Sequence, residues 1–144
     1  KQYLKQFCSA DRPPYYNLKS RANEVILAKI RTNNLPTKWW LFKRTLSSTK
    51  YCNYCPAKPE TVIHFLLICP KYRAQRQKLM TAIKPMLDDI MVKFNPRYPL
   101  VFFSHVVYGN EMLSLENNIF VQNSVANFVH DTRRFKRYSI KFET

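Results

Sequence analysis

Glycine is nearly missing from this chain. Gly109 is the single one in 144 residues, where ordinary usage of about 7% would give roughly ten. No glycine-rich loop that cradles phosphate can be built, which excludes the Walker and dinucleotide-binding fingerprints. Turns must instead be made by the nine prolines and by Asn and Ser. Acidic residues are scarce as well: 9 Asp plus Glu stand against 24 Lys plus Arg, for a formal charge of +15 and a pI near 9.9. No acidic cluster suited to two catalytic metal ions is visible, because Asp88 and Asp89 are adjacent and so fall on different helix faces. Long apolar runs are also lacking. The longest, Phe65 to Cys69, falls far short of the ~20 residues of a spanning helix.

What is present is a foldable composition, 46% hydrophobic and 15% aromatic, at the length of one domain. The excess of positive charge costs self-repulsion and favours encounter with polyanions. Nucleic acid is therefore the leading partner class, with an anionic membrane surface a weaker rival and no small-molecule substrate indicated. The chain begins with Lys1 and shows no secretory signal, so a trimmed start or a piece of a longer protein is expected. A reducing, intracellular setting follows, where clustered cysteines bind metal more often than they form disulfides.

Periodicity predicts a mostly α-helical fold with at most a short strand or hairpin. Residues 1–17, with "DRPPYY", read as an irregular segment. A helix follows Ser20, with Ala22, Ile26, Leu27 and Ile30 on one side, and "KWWLFKR" resumes helix after the break at Asn33, Asn34 and Pro36. One of the two tryptophans there is expected to be buried and one partly exposed. A short helix enters after Pro59 and stops at Pro70. "KYRAQRQKLMTAIK" and "MLDDIMVKF" continue as helices, the latter carrying Met86, Leu87, Ile90, Met91 and Phe94 on one face, with the prolines at 85, 96 and 99 dividing the pieces. "LVFFSHVVYG" is β-branched and aromatic enough to read as a strand. The closing helix runs from about Ser114 to about Arg134, and residues 137–144 form a basic tail. The helical domain spans 18–136.

Between residues 51 and 77 lie three of the four cysteines and one histidine, spaced C-x2-C-x8-H-x4-C. Two readings compete. Either Cys52, Cys55, His64 and Cys69 are the ligands of one structural zinc, or they are core neighbours. On an ideal helix His64 and Cys69 sit about 140° apart, so they converge only if Cys69 stands where the helix ends, an ending Pro70 supplies. A complete ligand set at an allowed spacing favours zinc. Lys50, Lys58 and Lys71 can offset the negative charge of three thiolates. Cys8 reads as a small buried apolar residue.

"CNYCPAKPETVIHFLLICPKYRAQR" resembles the zinc-binding segment that follows the reverse transcriptase and ribonuclease H regions in polyproteins of non-LTR (LINE-type) retrotransposons, particularly those of insects. "EVILAKIRTNNLPT" and "VANFVHDTRRF" resemble the helices that flank it, so the similarity spans roughly residues 18 to 136. Glu60, Thr61, Cys69 and Pro70 match the pattern. Pro56 and Asn33-Asn34 stand where it usually has Gly and Gly-His, as in a diverged or repurposed copy. The resemblance implies the C-terminal part of a retrotransposon reverse transcriptase protein, gripping RNA template or target DNA in target-primed reverse transcription. Its setting would be the nucleus and cytoplasmic ribonucleoprotein.

The candidate nucleic-acid surface mixes charges with aromatic faces: Lys38, Trp39, Trp40, Lys43, Arg44 and Lys50, with Phe42 and Tyr51 among them. Arg73, Arg76 and Lys84 fall on one helix edge, and Arg133 and Arg134 close the last helix. No catalytic residue is assigned, since His105 and His130 lack a nucleophile partner and no Gly-x-Ser-x-Gly motif occurs. The alternative to nucleic-acid binding is a zinc module that docks on the polymerase body or, if host-domesticated, on another protein.

Overall fold

Three helices of the computed structural model, which describes residues 17–135, start at a capping hydroxyl. The irregular segment expected at the N-terminus, Cys8 and the basic tail 137–144 lie outside those residues but for residue 17. Helix α1 (Arg21–Arg31) begins where the Ser20 hydroxyl accepts the Asn23 amide, and it buries Ile26, Leu27 and Ile30. Thr37 does the same for the short α2 (Lys38–Lys43). Ser114 caps the long α5 (Leu115–Thr132). Between them run α3 (Arg73–Asp89) and α4 (Pro99–Tyr108). Helix α5 packs on α3, α1 and α4, and α1 also meets α4. The stripe Val121, Val125, Phe128 and Val129 is the centre of this core. The fold is mostly α-helical, as the periodicity predicts, and a lone antiparallel bridge between Tyr51 and Pro59 is the strand-like pairing among the described residues.

Four expectations are corrected. The segment from Pro99 is helix α4, not a strand. Phe102, Phe103, Val106 and Val107 are buried while Leu100 and Val101 stand out, a helical rather than alternating pattern, and Pro99 fits the first turn. Burial on one helix face thus overrides strand propensity. Pro85 does not divide α3; Pro85 and Thr81, the residue whose carbonyl it leaves without an amide, are both exposed, so water can satisfy that carbonyl. The helix then ends at Asp89, and Met91 and Phe94 do not continue its face. The tryptophans differ from expectation too: both are half-buried, and α2 contributes no fully buried residue.

The shortage of glycine leaves a mark on the backbone. Helices α1, α2 and α3 each end in the same two-bond closure. Asn34, Leu46 and Val92 donate to the carbonyls of Lys29, Leu41 and Leu87, while Asn33, Thr45 and Met91 donate to those of Ile30, Phe42 and Asp88. This motif needs a left-handed residue, usually glycine. Here Asn33 (φ 57°), Thr45 (φ 58°) and Met91 (φ 60°) fill the place. Asn tolerates that conformation, whereas a β-branched Thr crowds its own backbone. Thr45→Gly is therefore expected to stabilise the fold by about 1 kcal/mol, seen as a higher melting temperature, with Asn33→Gly changing it far less. Destabilisation by Thr45→Gly in thermal denaturation would contradict this account.

Candidate metal centre

The segment from Tyr51 is closed into a loop by its backbone. Cys52 donates to the Lys58 carbonyl (2.9 Å) and Glu60 to that of Lys50 (2.9 Å), which places the turn carrying Cys52 and Cys55 at the loop's tip. Ala57 takes a left-handed conformation there (φ 68°), and the Tyr54 amide donates to Cys52 Sγ at 3.4 Å. The Thr61 hydroxyl then receives the His64 amide (3.1 Å), and a helical turn begins at Val62. From His64 to Ile68 that turn widens to π geometry, with the Cys69 amide reaching the His64 carbonyl at 2.7 Å. An α-turn would leave these two residues about 140° apart; the wider turn brings residues five apart toward one side. Cys69 leaves the turn in extended conformation, immediately ahead of Pro70.

Four ligand atoms, one each from Cys52, Cys55, His64 and Cys69, lie within 4.8 Å of one another. The Cys69 Sγ is 3.7 Å from that of Cys52 and 4.0 Å from that of Cys55. A disulfide requires about 2.05 Å. Sulfurs at about 2.3 Å from a tetrahedral ion are about 3.8 Å from each other, which is the spacing seen. His64 supplies a second test: its Nε2 is buried and has no hydrogen-bond partner among the described residues. Cys52 and Cys69 are buried and Cys55 is half-buried. The donor set fits one metal ion, and because all four donors come from protein, no position is kept for a reactive water.

Burial pushes the Cys69 thiol up to about 12 and raises Cys55 as well, while burial pulls His64 down and the nearby Glu60 partly opposes this. Without a metal, Cys55 and Cys69 hold their protons at neutral pH. Metal uptake must displace them, so apparent affinity climbs with pH. Lys58 acts on Cys55 and His64 through its charge, and the Lys71 amide bonds Cys69.

Three interactions tie this centre to the fold. Phe65, next to His64, is fully buried against Tyr72, Phe128 and Phe135 at ring separations of 5.0, 5.6 and 5.1 Å. Arg76 caps the end of the π turn. Its guanidinium donates to the carbonyls of Leu66 (2.9 Å), Cys69 (2.8 Å) and Phe65 (3.0 Å). Leu66 needs such a donor because Pro70, four residues on, has no N–H. Buried Glu60 receives the Lys38 amide and the Arg134 guanidinium, each at 2.8 Å, joining α2, the metal loop and the turn after α5.

Two residues of the expected nucleic-acid surface thus have internal work. Arg76 and Arg134 face carbonyls and a buried carboxylate, so Arg73, Arg76 and Lys84 do not form one charged edge. Lys84 pairs with Asp88 at 3.0 Å, and Arg73 and Arg133 are exposed. Lys38 contributes its backbone amide to Glu60. Around α2 and the loop, cations sit over aromatic rings: Lys43 over Trp39 (4.3 Å), Arg44 over Trp40 (3.9 Å), Lys50 over Tyr51 (5.6 Å) and Lys71 over Tyr54 (5.0 Å). The last pair has a weaker signal in the sequence, a tyrosine placed between two close cysteines, where it is exposed. Comparisons with protein-family models, curated proteins and solved structures return no match.

Stripping the protein with a strong chelator is expected to collapse the amide resonances of residues 51–77, since the binding energy of the site is also its folding energy. An unchanged spectrum after complete metal removal would contradict the assignment. Arg76→Lys should lower stability by about 2 kcal/mol, because a single ammonium cannot serve three carbonyls that a planar fork reaches together. A neutral effect in chemical denaturation would show that water replaces the fork without loss.

Proposed function

We propose that this chain is a zinc-organised nucleic-acid-binding domain. Three sulfurs and one imidazole in a closed set suit Zn²⁺, a borderline ion content with tetrahedral sites, in a structural role. The observation that carries the nucleic-acid reading is the group of exposed or half-buried aromatic rings on α2 and the metal loop, each with a Lys or Arg over it. A nucleobase that takes the face of Tyr54, 52% exposed, releases Lys71 toward the adjoining phosphate. Stacking is indifferent to base identity, and the freed charge tracks the backbone, which is how single strands are held without sequence readout. The overall charge of +15 adds long-range attraction.

The resemblance of residues 18 to 136 to the LINE-type zinc segment supports a place in the C-terminal part of a reverse transcriptase protein. There the domain would grip template RNA or target DNA while the polymerase chemistry belongs to other parts of that protein. No catalytic role is proposed for this chain. A second reading, a protein-docking zinc module, is favoured by one observation: large apolar side chains such as Met91 (88% exposed) and Leu46 (68%) face solvent.

Fluorescence anisotropy with labelled single-stranded RNA, a structured RNA and a DNA duplex separates the two. Affinity is expected to fall steeply with salt, with a log-log slope of roughly −3 for the four cations named. Tyr54→Ala should weaken single-strand binding by about 1–3 kcal/mol. Binding absent, or indifferent to salt and to Tyr54, would overturn the nucleic-acid reading.

A further inference from the structure

Along α3 runs a groove with no part in the proposed nucleic-acid surface. It encloses about 390 Å³, within the usual range of pockets that bury a ligand. Met80, Ile83 and Leu87 form its floor on one face of α3, and Val92, Phe94 and Phe102 its walls, Phe94 and Phe102 meeting edge to face at 5.5 Å. The walls follow from the closure of α3. Met91 in its left-handed conformation turns the chain back, the Val92 amide bonds the Leu87 carbonyl, and Val92 and Phe94 are laid beside the helix they have just left. Lining residues run along α3 from Arg76 to Asp88, about 18 Å at 1.5 Å per residue.

Charge and exposure select the occupant. The rim presents Lys84 and Lys93 against one acid, Asp88, which pairs with Lys84, while the guanidinium of the remaining lining cation, Arg76, is turned to backbone carbonyls. Lys93 is exposed and has no bonding partner among the described residues. Met91 projects almost fully into solvent next to the groove. A small amphiphile inside the cavity would leave that side chain bare, whereas a rod lying along α3 would cover it. We infer that this groove docks an acidic amphipathic helix of a partner protein, with apolar anchors at i, i+3 or i+4 and i+7 entering between Met80, Leu87 and Phe94, and carboxylates facing Lys84 and Lys93.

The test is selection from a displayed library of randomised three-turn helical peptides, using the metal-loaded full chain as bait. Met80→Glu, a change at a half-buried residue of the groove's floor, serves as counter-bait after circular dichroism shows that it folds. Enriched peptides are expected to be acidic and amphipathic. They should lose about tenfold in affinity on Met80→Glu and about threefold on the fully surface changes Lys93→Glu and Met91→Asp. Methyl resonances of Met80, Val92 and Leu87 should shift on binding. Enrichment of basic or non-amphipathic peptides, equal binding to Met80→Glu, or no enrichment would overturn the inference. So would displacement of the peptides by sodium dodecanoate, which would mark a small-amphiphile pocket, or by single-stranded RNA, which would place nucleic acid in the groove. Because the groove is separate from Tyr54, Tyr54→Ala should leave peptide affinity unchanged.

Discussion

Convergence of four donor atoms on one point is the constraint on which the segment from Tyr51 to Tyr72 depends. Its outer turn, Asn53 to Pro59, has little core of its own, and its charged and aromatic side chains face outward. Three sulfurs and an imidazole nitrogen lie within 4.8 Å of one another, the sulfurs touch only weakly at 3.7 and 4.0 Å, the His64 Nε2 has no partner among the described residues, and burial favours the neutral forms of Cys55, Cys69 and His64. A metal ion held by all four donors would turn that crowding into bonds. The surrounding structure is arranged to hold the donors ready: a π turn sets His64 and Cys69 on one side, Arg76 satisfies the carbonyls that this turn and Pro70 leave open, and Phe65 anchors the turn in the helical core.

Through Glu60 the same centre reaches α2 and the turn after α5. Its carboxylate holds the first amide of α2 and the Arg134 guanidinium beyond α5, and its carbonyl accepts from Trp39. Helix α2 has no fully buried residue, so its position relies on these bonds and on Thr37. Ordering the metal loop therefore also orders the aromatic and cationic side chains of α2. Left-handed residues other than glycine at the ends of α1, α2 and α3 add local strain, which the rest of the packing must offset.

Much of the fold is legible because most of its helices have an apolar face and three of them start at a capping Ser or Thr. Ser20 and Ser114 announce α1 and α5, and the ligand spacing announces the metal centre. Other features were hidden for identifiable reasons. Helix α4 is rich in Val and Phe, so propensity pointed to a strand, and only the burial of Phe102, Phe103, Val106 and Val107 on one side reveals the helix. Pro85 reads as a break because sequence does not show that Thr81 is exposed to water. Arg76 and Arg134 looked like surface charge; their partners are a set of carbonyls defined by a π turn and a carboxylate 74 residues away, neither visible to local pattern.

X-ray absorption spectroscopy at the zinc edge, on protein purified with its metal and checked for stoichiometry, tests the central claim most directly. The account predicts one zinc per chain, with three sulfur neighbours at about 2.3 Å and one nitrogen at about 2.0–2.1 Å and no further shell of oxygen. A substoichiometric metal content, or a shell dominated by oxygen and nitrogen, would contradict it.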